Sequence, residues 1–406
     1  MEHSWRKDLL LAALMTAAAT STMQGQESAP ATKWQAAEPA TVGLNSAGLK
    51  ALDGDISAGK YGLVDSMLVV RCGKQAFERR YAHDYAKIYG EIAKKEGPLN
   101  HDVGGPYNYF SAEFHPYFHH SDLHTMQSVS KTVTSVTIGA AMLRGEFPVE
   151  LDAPVLKYFS GYKIANLDDR KRRITLRHLL TMTAGFKWNE DTPYSDPTNS
   201  CDVMESKHDW VEYVINLPMA AEPGKVWVYN SGVTQLLSHL FKQVTGRTVD
   251  DYAAEYVFRP MGIPYHWKHS PTGLPDTEGG LYVSAADLAK IGLLYLNAGK
   301  WEGKQIVSPE WVKASLTTNL IVKDEGEKWK YGFQWWLQRW GRSPSQYAWA
   351  ARGFGGQQLR VVPEYDLIVV FTGWSILPET EGKQHDQLER VLALVDQQYR
   401  CGAGAN

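Results

Sequence analysis

The chain has 406 residues, 44% of them apolar and 12% aromatic, with a formal net charge of −3. That length suits one large domain or two smaller ones. The near-balanced charge, with neither a basic field nor an acidic tail, argues against nucleic acid or another polyanion as partner.

Near the N-terminus, Arg6 and Lys7 precede the apolar run Leu9 to Ala19, and small or polar residues follow. This reads as a secretion signal over residues 1–26, although Glu2 and Asp8 dilute its basic start. The run is too short to span a bilayer comfortably, and no later segment is long and apolar enough to do so. A periplasmic or secreted protein without stable membrane insertion is therefore expected. Residues 27–45, rich in Ala and Pro, read as an N-terminal extension. Leu49 to Ile56 has the spacing of a short amphipathic helix. Two strand-like runs around Cys72-Gly73 predict a hairpin. Residues 83–122, rich in Tyr, His, Gly and Pro, read as a long surface excursion.

From Thr125 to about residue 260 the pattern is mostly helical. Thr175 caps one helix and Gly185 stops it. Pro223-Gly224 marks a turn, Ser284 and Asp287 form a capping box, and Ser308-Pro309 opens another helix. Strand patterns return at Tyr331 to Gln338, Gln346 to Gly353, Gln358 to Val362 and Leu367 to Gly373. A last helix is expected over about Gln384 to Tyr399. Strands at both ends and helices between them predict an α+β fold. An antiparallel sheet (46–110 and 272–406), flanked by N- and C-terminal helices, is interrupted by a mainly helical insertion (111–271).

Three cysteines, Cys72, Cys201 and Cys401, permit at most one internal disulfide, and their spacing makes no zinc site. Which pair bonds, if any, is not specified by the sequence.

The stretch Ser128-Val129-Ser130-Lys131 begins a long, small and apolar run of helical type. A helix starting here puts Ser128 and Lys131 on one face, one turn apart. An adjacent base turns serine into a nucleophile. A desolvated lysine, or one near another cation, can be neutral near pH 7 and take the proton. The helix N-terminus adds free N–H groups and positive potential for a developing oxyanion. By itself such a pair equally describes a capped helix with a solvated lysine. The buried character of the following run favours the chemical reading.

Two further segments complete a set: Tyr229-Asn230-Ser231-Gly232, on a loop entering a helix, and Ala351-Arg352-Gly353-Phe354-Gly355-Gly356-Gln357, between strands. Together with Ser128–Lys131, and with the runs Ile174–Gly185 and Gly279–Gly292, this order resembles the serine β-lactamase and penicillin-binding-protein superfamily. The likeness is to its class C-related branch of esterases, D-amino-acid peptidases and 6-aminohexanoate-dimer hydrolases, and covers roughly residues 40 to 400. The resemblance implies a β-lactamase/transpeptidase-like fold and an acyl-enzyme mechanism without cofactor or metal. By position, Ser128 is the acylated nucleophile and Lys131 its proton acceptor or the residue that tunes one. Tyr229 is the proton shuttle, a role that suits a phenol of depressed pKa beside a lysine. The alternative for Tyr229 is an aromatic packed beneath a helix cap supplied by Asn230 or Ser231. The Ser128 and Gln357 N–H groups are the implied oxyanion hole.

The chain departs from the family pattern twice. Ser231 stands where the third residue of Y-x-N is Asn, with Asn230 beside it. Phe354-Gly355-Gly356 stands where K-T-G is expected, so the cation that meets a substrate carboxylate is missing. Arg352 is near, and on a continuous strand it would share a face with Phe354. Ser231, Asn230, Phe354, Gly355, Gly356, Arg352 and Trp188 are the expected substrate contacts, with Glu190 a weaker one. The histidines His115, His119, His120 and His124, with Asp122, have no metal-ligand spacing, and no metal site is expected. Trp335, Trp336 and Trp349 are either cleft or core aromatics. The expected function is a secreted or periplasmic serine hydrolase acting on a small ester or amide. β-lactamase or D-amino-acid peptidase activity, and a non-catalytic sensor on the same scaffold, are the alternatives. Oligomeric state is left open.

Overall fold

A computed structural model of the chain describes residues 33–325, 327–340, 346–377, 380 and 387–402. The expected signal at 1–26 lies outside these residues. The organising element is an eight-stranded antiparallel sheet among the described residues. Its strands run Lys74–Arg80, Val64–Arg71, Leu367–Gly373, Gln357–Val362, Tyr347–Gly353, Trp336–Arg339, Glu327–Tyr331 and Ile321–Glu325. Segments from the two ends of the chain thus pair as the second and third strands of the sheet, Met67 opposite Phe371 and Val69 opposite Val369.

Both of these strands are buried along their whole length, because the sheet is covered on two faces there. On one face, Leu49, Leu52 and Ile56 of the helix Ser46–Ser57 meet Val69, Phe371 and Val391. On the other, Leu68, Val70 and Ile368 join a larger core with the helix Ala285–Leu296 and the helical region. The α+β arrangement expected from the sequence is the one observed.

Three local expectations need correction. The last helix spans Gln387–Leu392 rather than reaching Tyr399, and residues 384–386 lie outside those described. Beyond it the chain is held open by Arg71, whose guanidinium donates to the carbonyls of Gly43 and Asp396 at 2.6 and 3.0 Å. Cys72 and Cys401 are disulfide-bonded across the same corner, leaving Cys201 free and buried. The run Tyr331–Gln338 is two strands, broken by a turn at Gln334, where φ is 62°. Finally, residues 83–122 are only in part a surface excursion. Tyr89, Leu99, Tyr107, Tyr109 and Phe110 are buried, because the segment's aromatics pack down onto the sheet end. The Tyr89 hydroxyl donates to the Trp374 carbonyl at 2.7 Å, and Trp374 Nε1 donates back to the Tyr109 carbonyl at 3.0 Å.

The helix Val129–Leu143 lies in the middle of the molecule. A helix apolar or small on every face is a buried one, and residues Val129 to Ala141 are all buried. Gly139 gives the tightest approach: a Cβ there would lie 2.3 Å from the Trp311 ring. The helix start is pinned by a small sheet, in which His124–Thr125 pairs with Leu281–Val283. The Leu281 N–H donates to Ser130 Oγ at 3.0 Å. Ser130 is therefore a fully buried tie between helix and sheet, and Ser128 is the serine left at the surface of the cleft.

Candidate active site

Gln127, immediately before the helix, has a left-handed backbone, φ 48°. This conformation is disfavoured for a side-chain-bearing residue and persists only where its surroundings hold it. It ends the strand and turns Ser128 outward at the helix N-terminus. Ser128 makes no capping hydrogen bond. Instead its Oγ accepts from Lys131 Nζ at 2.8 Å. The capped-helix alternative, with a solvated lysine, is excluded: Lys131 is only 1% exposed.

Lys131 Nζ also donates to the Glu278 carbonyl at 2.7 Å and to Glu278 Oε2 at 3.3 Å. Burial pulls its pKa down, but Tyr229, Glu278 and Glu190 outweigh that and hold it above the ordinary lysine value. This direction is opposite to the one expected of a desolvated lysine. Its causes are Tyr229 and the carboxylates Glu278 and Glu190 packed with it, and the sequence did not place those carboxylates there. Tyr229 completes the trio. Its phenol is within hydrogen-bonding reach of Ser128, and Lys131 Nζ lies 5.3 Å from its ring centroid. Burial pushes the phenol up and the Lys131 charge only partly offsets this, so the Tyr229 pKa is raised rather than depressed.

The cleft beside Ser128 is lined by Leu99, Tyr109, Tyr194, Phe354, Cys201 and Glu205, with Gln127, Asp202 and Glu278. Phe354 sits between Tyr194 and Trp374, at ring distances of 4.8 and 6.3 Å. The strand ends at Gly353, so the two-residue period no longer links Arg352 to Phe354. Arg352 instead lies over the Trp329 and Trp336 rings at 5.1 and 5.8 Å. Trp336 in turn stacks on Tyr229 at 5.6 Å. Trp335 is core, packed on Tyr295. Trp349 is half-buried in the sheet.

Gly355 and Gly356 shape the turn after Gly353, with φ 81° and 113°. At Gly355 a Cβ would also meet the Trp374 ring at 2.7 Å. Gln357 is fully buried, and its side-chain amide donates to the Phe354 and Gly373 carbonyls at 3.0 and 2.6 Å. Of this turn it is Phe354, not Gln357, that lines the cleft with Ser128.

Three expected substrate contacts face elsewhere. Asn230 Oδ1 accepts from the Val233 N–H at 3.1 Å and caps the helix Ser231–Thr245. Ser231 is fully buried, and both its N–H and its Oγ donate to Glu190, at 2.8 and 2.6 Å. Trp188 lies under the same helix start, against Gly232, and its Nε1 donates to Glu190 at 2.7 Å. Glu190 also accepts from the Tyr194 hydroxyl at 2.6 Å. It is therefore a knot that ties the loop carrying Tyr194 to the helix behind Tyr229. Ser231→Ala should cost about 1 kcal/mol of stability through the lost donor, with kcat/KM changed no more than severalfold. Thermal melting and steady-state kinetics on the same sample check this.

The histidines do not converge. His124 Nε2 pairs with Asp65 at 3.0 Å, and His115 stacks on Trp374 at 5.1 Å. His119 and His120 meet Glu113, and Asp122 meets Arg80.

What the sequence reading missed is an acidic group beneath the nucleophile. Glu278, Glu205, Asp276 and Cys201 are buried together with Lys131 and Lys268. Burial and the Glu278 charge push Asp276 up to about 6. Burial drives Glu205 well above the carboxylate range, and the Glu278 charge adds to it. Burial works on Glu278 in the same direction, but Lys131, a hydrogen bond from Glu205 and Lys268 outweigh it and keep Glu278 ionised.

A family model described as Beta-lactamase matches residues 66–390. The chain belongs to this family. The 6-aminohexanoate-dimer hydrolase of Paenarthrobacter ureafaciens is 24% identical over 282 residues, which are 64% of this chain and 68% of that protein. A β-lactamase of Escherichia coli K12 is 30% identical over 149 residues, 37% of this chain and 36% of that one. Among solved structures, a family VIII carboxylesterase superposes with a TM-score of 0.61 at 15% identity, covering 92% of this chain and 100% of that one. By family the protein is a β-lactamase-related hydrolase of the serine type.

Proposed function

We propose that the protein hydrolyses neutral esters or amides through an acyl-enzyme on Ser128. The observation that carries this reading is the Lys131 Nζ–Ser128 Oγ hydrogen bond of 2.8 Å at the cleft wall, with the Tyr229 phenol on the same oxygen. Because Ser128 Oγ accepts from an ammonium, its own proton is directed toward Tyr229. In the active form Tyr229 has released its proton to solvent and the Lys131 ammonium stabilises the phenolate. As Oγ bonds to the carbonyl carbon, the Ser128 proton passes to the Tyr229 oxygen; as the substrate C–O or C–N bond breaks, Tyr229 hands that proton to the leaving alcohol or amine and returns to the phenolate. Water then repeats the sequence in reverse and releases the acid. The oxyanion is received by the Ser128 N–H at the helix start and by an N–H of the Phe354–Gln357 turn.

Specificity follows from the missing cation. Phe354 offers an apolar edge, and the cleft floor carries Glu205, Glu278 and Asp202. A substrate carboxylate brought there stays unpaired, which costs several kcal/mol. Wild type is therefore expected to favour a neutral p-nitrophenyl ester over a chromogenic cephalosporin by at least 10²-fold in kcat/KM, and Phe354→Lys to narrow that ratio. Efficient cephalosporin hydrolysis by wild type would put an anion site elsewhere, with Arg352→Ala the variant that locates it.

Export is part of the same proposal. The basic–apolar–small pattern of residues 1–26 supports it, as does the Cys72–Cys401 disulfide, a bond that persists in oxidising compartments. Among the described residues no helix is long and apolar enough to cross a membrane.

A further inference from the structure

Lys131 is surrounded in a way that its motif does not require. An ammonium has three N–H bonds, and here three acceptor atoms meet it: Ser128 Oγ at 2.8 Å, the Glu278 carbonyl at 2.7 Å and Glu278 Oε2 at 3.3 Å. Two of the three belong to one residue, 147 positions away in sequence. Side chains of both partners are almost completely buried, Lys131 at 1% exposure and Glu278 at 6%. A carboxylate this deep is retained only if it is paired and hydrogen-bonded.

We infer that Glu278 is a positioning residue of the catalytic site, the counter-ion that keeps Lys131 in its ammonium form beside Ser128 and Tyr229. The inference rests on the acyl-enzyme reading above, in which the working form of Lys131 is the cation. Glu278 touches neither leaving group nor carbonyl in this account; it acts through Lys131.

The surroundings of Glu278 fit that task. From the helix Ser200–Glu205, Glu205 hydrogen-bonds to it and the Cys201 Sγ donates to Oε1 at 3.6 Å. The Glu205 Oε1 accepts from the Tyr109 hydroxyl at 2.6 Å. Glu205 is thus the protonated member of the pair and supplies a proton to the Glu278 carboxylate, leaving Glu278 the ionised one. Lys268 faces both acids and lies over the Tyr107 and Tyr109 rings at 4.3 and 4.7 Å. On its own loop, Asp276 accepts the Glu278 N–H at 3.2 Å and fixes the backbone whose carbonyl meets Lys131. Tyr229 and Glu190 complete the charged and titratable neighbours on the Lys131 side.

The sign of the effect is set by the pair. Removing a negative partner from a cation lowers that cation's pKa. Glu278→Gln keeps the shape and an oxygen for Lys131 but removes the charge, so Lys131 should lose its proton at lower pH. Glu205→Gln does the opposite job: its amide N–H donates permanently to Glu278 and keeps the carboxylate ionised.

The test is the pH profile of kcat/KM for a neutral p-nitrophenyl ester from pH 5 to 10, with melting curves for each variant across the same range. The inference predicts that Glu278→Gln loses activity on the alkaline side at least one pH unit below wild type, a tenfold deficit at a matched high pH. KM should stay within about threefold, and Glu205→Gln should show no downward shift. Glu278→Asp, which keeps the charge, should recover part of the wild-type profile, and it serves as the readout if Glu278→Gln does not fold. Superimposable profiles for wild type and Glu278→Gln, including profiles flat across the whole range, would overturn the inference. So would a Glu278→Asp profile shifted below wild type by the full unit. Peptide mapping of a serine-directed phosphonate adduct on each variant separates the two levels. Absence of label on Ser128 defeats the acyl-enzyme reading itself, whereas label on Ser128 with an unshifted profile defeats only the role of Glu278.

Discussion

Ser128→Ala should lower kcat/KM by roughly 10⁴-fold or more, since removing a covalent nucleophile abolishes the pathway and leaves only binding and oxyanion stabilisation. Stability should change by only about 0.5 kcal/mol. Ser128 contributes no helix cap. Its loss leaves Lys131 with both Glu278 acceptors, so no buried ion is stranded. Steady-state kinetics and thermal melting on the same preparation make the comparison. Ser130→Ala should do the reverse, because its Oγ serves the Leu281 N–H. A variant at Ser128 that keeps full activity would mean that the cleft serine is a bystander.

Lys131→Ala and Tyr229→Phe should each lower kcat by about 10²- to 10⁴-fold, the usual worth of a positioned proton-transfer group. The double variant should lose far less than the product of the two losses. Lys131 acts on Ser128 partly through the charge it places beside Tyr229, at 5.3 Å from the ring, and residues that act as a unit are non-additive. The stability cost falls unevenly. Tyr229→Phe removes one hydroxyl from a ring that stays stacked on Trp336. Lys131→Ala strips Glu278 of its cation, and breaking a buried pair costs about 3–5 kcal/mol. Melting curves therefore accompany the kinetics, and the cycle is read at a temperature where all four proteins are folded. Simple multiplication of the two single losses would show that lysine and tyrosine work independently.

How much of this was legible beforehand depended on how local each signal was. The Ser128–Lys131 pair is a matter of helical spacing followed by a run small enough to be buried, and both features are written in adjacent residues. Tyr229 was reachable because three short segments occur in a family's order. The split antiparallel sheet followed from strand patterns at the two ends of the chain. Orientation was not legible. Ser231, Asn230 and Trp188 sit in the right segment but face Glu190 or the helix cap, and nothing in their spacing distinguishes the two faces of a loop. Residues 83–122 looked like surface because they lack periodicity, yet Leu99 and Tyr109 from this segment line the cleft. Arg352 was placed by a strand period that stops one residue too early. Glu278 was the largest omission. The two acids in Asp276-Thr277-Glu278-Gly279-Gly280 form no recognisable pattern, and only the fold brings Glu278 to Lys131. Together with Tyr229, Glu278 also turns the pKa of that lysine upward against the pull of burial, which shows how far a local motif depends on a partner distant in sequence.

The central claim is that Ser128 carries the acyl group, and trapping the acyl-enzyme tests it most directly. Rapid acid quench during the first turnovers of a p-nitrophenyl ester, followed by intact-mass measurement and peptide mapping, reads the site of attachment. The account predicts one acyl group per chain on the peptide containing Ser128, absent in Ser128→Ala and formed more slowly in Tyr229→Phe. An acyl group on Ser130 or Cys201, or brisk turnover of the Ser128→Ala protein, would contradict it.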